Sequence, residues 1–188
     1  DVIWREVILA KEAKPFIVSM GDVAASGGYY ISCGADWIFA QPNTITGSIG
    51  VFGMIPNVGP MLEDKLGITF DRAQTNNHSL LSFTKGLSEM EKSIIQSEND
   101  VIYNDFITKV ADGRDGLKVE DVDAIGQGRV WSGTDAMKTP YLSNIFSLIR
   151  SNSKMLNASI SHPLLRTMPI SIISAQMSNE VQVLKSRS

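Results

Sequence analysis

The chain has 188 residues, 43% apolar and 20% charged, with a formal net charge of −3. That length suits one domain with a sizeable core, and the composition excludes disordered and collagen-like classes. The absence of a long basic run gives no footprint for nucleic acid or an anionic membrane surface, and a lone Cys33 without Cys/His ligand spacing predicts no internal disulfide, metal or cofactor.

Pro15 bars helix immediately before it, and the apolar run Lys14 to Met20 suits a buried parallel strand, leaving Val2 to Ala13 for a preceding helix. Gly21 to Tyr30 follow at once; their small residues allow a sharp turn into a helix carrying Tyr29 to Cys33, with Ser26 near its first turn. Asp36 to Ala40 reads as a second buried strand ended by Gln41-Pro42-Asn43, and Gly47, Gly50 and Gly53 punctuate the loop and strand beyond. Met61 to Leu66 forms a short helix closed by Gly67, and Ile68 to Phe70 a further strand. Ser88-Glu89-Met90-Glu91 is a capping box opening a long helix towards Val110, and Val119 to Ile125 is a helix stopped by Gly126. This alternation of strands and helices predicts the α/β class. Trp37, Phe39, Tyr103 and Trp131 are spaced as core aromatics, and Cys33 lies on an apolar helix side. All fifteen glycines lie at or before Gly133. Residues 1–138 therefore read as the domain, and 139–188 as an atypical Ser/Asn-rich tail to which no element is assigned.

A serine on a small-residue turn from strand to helix has its hydroxyl held exposed, and nearby helical N–H groups favour developing negative charge. Ser26 is thus a candidate nucleophile, and the Gly27 N–H a candidate oxyanion donor. The same string also fits a simple helix cap, because serine is a preferred N-cap and small residues mark tight packing.

The wider string Gly21-Asp22-Val23-Ala24-Ala25-Ser26-Gly27-Gly28-Tyr29-Tyr30-Ile31-Ser32 closely resembles the nucleophile segment of the protease IV (signal peptide peptidase A) family. The resemblance continues through Ala35-Asp36, through Pro42-Asn43-Thr44-Ile45-Thr46-Gly47-Ser48-Ile49-Gly50-Val51-Phe52-Gly53, and through Gly126-Gln127-Gly128-Arg129-Val130-Trp131-Ser132-Gly133-Thr134-Asp135-Ala136. It implies a Clp protease/crotonase-like fold of repeated β-β-α units, and peptide-bond hydrolysis by a Ser-Lys dyad with Ser26 as nucleophile and a neutral lysine amine taking its proton. It also implies apolar, extended substrates such as cleaved signal peptides, bound as a strand beside the site. A homo-oligomeric ring is expected, associated with a membrane, the bacterial inner membrane facing the periplasm, through a segment not present here. No stretch of this chain reaches the roughly 18 consecutive apolar residues of a spanning helix, and a chain opening at Asp1 without a signal segment is expected to start further upstream.

The departures from the family bear on catalysis. Single-copy members carry the lysine where this chain reads Asn76-Asn77-His78-Ser79-Leu80. In tandem-repeat members the lysine comes from the other repeat, which places it outside this chain; the alternative is His78 as base. Lys85 in a polar loop and Lys92 on a surface helix read as solvated. Relatives also carry a Pro-Gly-Gly loop ahead of the stretch matching Asp1 to Ala13, supplying a second oxyanion N–H. After the Val-Trp-Ser-Gly motif they continue into Gly-Leu-Val-Asp, where this chain has Thr139-Pro140-Tyr141-Leu142-Ser143. A lineage-specific tail or a shifted reading frame each accounts for that difference. Lacking one donor and the base, the chain alone is expected to be inactive. Two other classes remain open: a catalytically dead structural repeat with Ser26 as a mere cap, and a crotonase-type acyl-CoA enzyme, although those place no serine nucleophile in an Ala-Ser-Gly-Gly-Tyr string.

Overall fold

The structure, a computed structural model, describes residues 1–76, 82–114 and 116–139, with the backbone of three further strands at 145–147, 171–175 and 182–185. Two compact units divide the chain, Asp1–Val51 with Tyr103–Ser188, and Phe52–Ile102.

In the first unit, α1 (Val2–Ala13) stops where Lys14 turns extended before Pro15, and β1 (Phe16–Met20) follows. Asp36 closes this corner: its carboxylate accepts the Phe16 N–H at 2.7 Å and pairs with Lys11 at 3.5 Å. β1 lies parallel to β3 (Trp37–Ala40), with Val18 opposite Ile38, so the chain must cross over between them. That crossover corrects the expected direct turn from β1 into a helix. It contains a separate strand, β2 (Val23–Ala25), before α2 (Gly27–Ser32), and β2 belongs to a second sheet beside β4 (Ile45–Gly47). Three small residues carry no visible alternation, which is why the sequence reads them as part of the turn.

The first four strands thus alternate between two sheets. The larger has the order β6-β3-β1-β7-β8, where β6 is Ile145–Ser147, β7 Ser171–Ala175 and β8 Gln182–Lys185; the smaller has the order β2-β4-β5, where β5 is Val130–Ser132. No element was expected beyond Lys138, and here β6 runs parallel to β3 while β7 runs parallel to β1. β5 is antiparallel to β4 and leads into α6 (Gly133–Lys138).

The core forms around β1, whose Phe16, Val18 and Met20 pack with Val7 of α1, Tyr29 of α2 and Val110 of α4 (Glu89–Gly113). Each such side chain contributes about 1.5–3 kcal/mol on burial. Cys33 is fully buried, as expected, whereas Trp37 is 37% exposed, a correction to its reading as core. On β3 the inward positions fall to Ile38 and Ala40, and the first residue of the strand takes the other side. Gly113, ending α4, has no room for a Cβ against the Cys33 carbonyl. The buried Arg114 guanidinium comes within 3.5 Å of the Ser32 carbonyl, at the negative end of α2. α5 (Val119–Ile125) ends at Gly126, in agreement with the sequence.

In the second unit, α3 (Gly59–Leu66) begins with Pro60 in its first turn and ends at Gly67, whose φ of 64° lets its N–H and that of Ile68 reach back to Glu63 and Leu62. The strand expected at Ile68 to Phe70 does not form. Those residues follow the left-handed Gly67 with no strand partner among the described residues, and Ile68 is 44% exposed. The expected capping box is present: the Ser88 N–H donates to Glu91 Oε2 at 2.7 Å, and the Glu91 N–H to Ser88 Oγ at 3.2 Å, opening α4.

Candidate active site

Ser26 stands between β2 and α2 with φ 51° and ψ −116°. For an L-residue this backbone stores strain of about 1–3 kcal/mol, which persists only where the surroundings impose it. Here backbone bonds impose it from both sides. The Ser26 N–H donates to the Gly47 carbonyl at 2.9 Å, and the Ser26 carbonyl accepts the Tyr30 N–H at 2.8 Å to start α2.

The hydroxyl makes no cap bond to the helix, and among the described residues no hydrogen bond engages it. Ser132 shows the contrast: at φ −74° and ψ 155° its Oγ accepts the Asp135 N–H at 3.1 Å and caps α6. Capping therefore does not explain Ser26. Gly27 opens α2, ahead of the first intrahelical donor, the Tyr30 N–H, and a Cβ built on it would meet nothing within 4 Å. An N–H in the first turn of a helix has no intrahelical acceptor, which suits it to a developing oxyanion.

The three sequence motifs meet on the smaller sheet. Ala25 pairs with Gly47, and Gly47 with Val130. Two fully buried threonines fasten it: Thr44 Oγ1 donates to the Gly21 carbonyl at 2.8 Å, and Thr46 Oγ1 to that of Ala24 at 3.0 Å. Just past β4, Ser48 has φ 49°, and ahead of β5 Gln127 has φ 58°; with Ser26 these are the positive-φ non-glycine residues among the described residues. Strain of this kind clusters at functional sites. Ser26 follows Ala25 as Ser48 follows Gly47, so two serines leave neighbouring parallel strands side by side. Sequence reasoning singled out neither Ser48 nor Gln127, because nothing in either residue type marks a left-handed backbone.

One turn beyond Ser26, burial pushes the Tyr29 hydroxyl up to about 12. Arg114 acts on it electrostatically, without a well-formed hydrogen bond. Burial likewise raises the Cys33 thiol to about 11, and its Sγ donates to the Tyr30 carbonyl at 3.2 Å, so it is no competing nucleophile.

His78, the alternative base, lies outside the described residues. Of the two lysines read as solvated, Lys92 pairs with Glu89 at 2.7 Å on an exposed helix face, and Lys85 belongs to the second unit. In the first unit Lys11, Lys109 and Lys138 are paired with Asp36, Asp105 and Asp135. Among the described residues no group of His, Cys, Asp or Glu could hold a metal, and no helix is long and apolar enough to cross a membrane.

An α/β chain with a strained serine at a strand-to-helix turn, its hydroxyl left uncommitted, has the local form of a serine hydrolase's nucleophile segment. Comparison with known proteins makes the class definite. Residues 8–155 match the profile of peptidase family S49, and the chain belongs to that family, the protease IV group of serine peptidases. It is 44% identical over 137 residues to Protease 4 of Salmonella typhi, covering 72% of this chain and 22% of that protein. It is 40% identical over 146 residues to Protease 4 of Haemophilus influenzae, covering 78% and 23%. With the chloroplastic serine protease SPPA of Arabidopsis thaliana it shares 34% over 153 residues, covering 80% and 22%. The chain thus spans about a fifth of the length of these relatives.

Proposed function

We propose that this chain is the nucleophile-bearing part of a serine endopeptidase in which Ser26 works in a dyad with a lysine supplied from outside the chain. The observation that carries the reading is the Ser26 backbone, held at φ 51° by the Gly47 carbonyl while its hydroxyl caps nothing. A strained conformation that yields no local hydrogen bond is explained by what it does for the hydroxyl.

In the reaction, Ser26 Oγ attacks the scissile carbonyl as its proton passes to the neutral lysine amine. The Gly27 N–H donates to the oxyanion, and collapse expels the amine, which takes the proton back and leaves an acyl-Ser26. Water activated by the same lysine then releases the acid. On this reading the fold is Clp protease/crotonase-like. The substrates are signal peptides and other apolar, extended peptides, and the working form is a membrane-associated oligomer, anchored by a segment outside this chain.

The test is labelling of the intact gene product with a fluorophosphonate, which acylates activated serines. The wild type is expected to label and Ser26→Ala to lose the label completely. Equal labelling of the two sinks the proposal and favours a structural repeat.

A further inference from the structure

We propose that Tyr103 is a positioning residue for the nucleophile, acting through a hydrogen-bonded path that ends on the Ser26 amide; the inference rests on the reading of Ser26 given above. The Tyr103 hydroxyl donates to Asp123 Oδ1 at 2.5 Å and accepts the Gln127 N–H at 3.1 Å. Because Asp123 takes the hydroxyl proton, the oxygen's lone pairs are left to face the amide. Gly126 makes the approach possible, since a Cβ there would lie 2.9 Å from the hydroxyl oxygen.

The bond falls on a turn that needs an external hold. Gln127 sits at φ 58°, which its Cβ disfavours. Once held, the turn grips the strand beside it: the Gly128 N–H donates to the Ile49 carbonyl, and the Arg129 carbonyl accepts the Ser48 N–H, both at 2.8 Å. There is no slack, because a Cβ on Gly50 would lie 2.5 Å from the Gly128 nitrogen.

The Ser48 N–H and the Gly47 carbonyl belong to one peptide unit, planar and rigid. Its N–H is held by the turn at 2.8 Å, and its carbonyl receives the Ser26 N–H at 2.9 Å. Tilting that plane to follow a loosened turn swings the carbonyl away from Ser26. Tyr103 thereby acts on the nucleophile's backbone without approaching the reacting atoms.

Tyr103→Phe removes the hydroxyl and keeps the ring. Amide hydrogen exchange over residues 126–130 and 23–28, peptide hydrolysis and fluorophosphonate labelling are all measured on the intact gene product. Exchange is expected to accelerate about tenfold in both segments, and kcat to fall about tenfold with KM unchanged, since small displacements of a nucleophile are costly. A structural role alone would leave exchange at 23–28 and kcat unmoved. Faster exchange confined to 126–130, unchanged exchange in both, or an unchanged kcat overturns the proposal. If Ser26→Ala labels as strongly as wild type, the nucleophile reading falls, while exchange at 23–28 still decides whether Tyr103 holds Ser26.

Discussion

A side chain at position 47 would meet two obstacles together. Gly47 has φ 74°, and a Cβ built on it would lie 2.6 Å from Cδ1 of Trp131. Gly47→Ala is expected to cost about 2 kcal/mol by combined backbone strain and overpacking. Because the Gly47 carbonyl holds Ser26, fluorophosphonate labelling should fall further than the lost stability explains; urea denaturation beside labelling rates checks both. At this scale the sequence is informative where chemistry selects a residue type. Ser26 and Gly27 stand out from their small-residue surroundings, and both lie where the reading put them, at the start of α2. Tyr103 read as a core aromatic, since nothing in its spacing tells of an Asp123 and a Gln127 amide meeting at its hydroxyl.

Helix starts offer an internal comparison between serines. Ser132 caps α6, so Ser132→Ala is expected to cost about 1 kcal/mol. Ser26 caps nothing and holds a left-handed backbone, so Ser26→Gly is expected to raise stability by about 1 kcal/mol while abolishing acylation. Thermal unfolding of the two variants decides; a Ser26→Gly chain as unstable as Ser132→Ala would show that the hydroxyl is structural after all. Elements with strong local signals were legible. α1 and α5 begin and end at the residues the sequence indicates, and the Ser88–Glu91 box opens α4. β2 and β5 were not, because each is only 3 residues long and is defined by its pairing with β4. Ile68 to Phe70 failed in the opposite sense: apolar character gives no strand where no neighbouring strand stands among the described residues to pair with it.

The molecule as a whole should weaken in alkali, and the sign follows from burial. In the folded chain burial pushes the Cys33 thiol up to about 11 and the Tyr29 hydroxyl up to about 12. The unfolded thiol ionises at about 8.5 and the phenol at about 10. In each window the unfolded chain has released its proton and the folded chain has not, so stability is full below the unfolded value and declines as pH rises towards the folded one. Urea midpoints should therefore fall steadily from about pH 9 upwards, and Cys33→Ala should flatten the first part of that decline; an unchanged slope in the variant refutes this account. A related whole-chain property follows from the smaller sheet, assembled from residues 23–25, 45–47 and 130–132. During synthesis the first two strands leave the ribosome long before the third. Only when β5 arrives does the turn before it reach Ser48, and only then is the Gly47 carbonyl fixed against Ser26. Long-range pairing of this kind forms late. Until β5 is made, the chain contains Ser26 without the turn that fixes the Gly47 carbonyl against its amide.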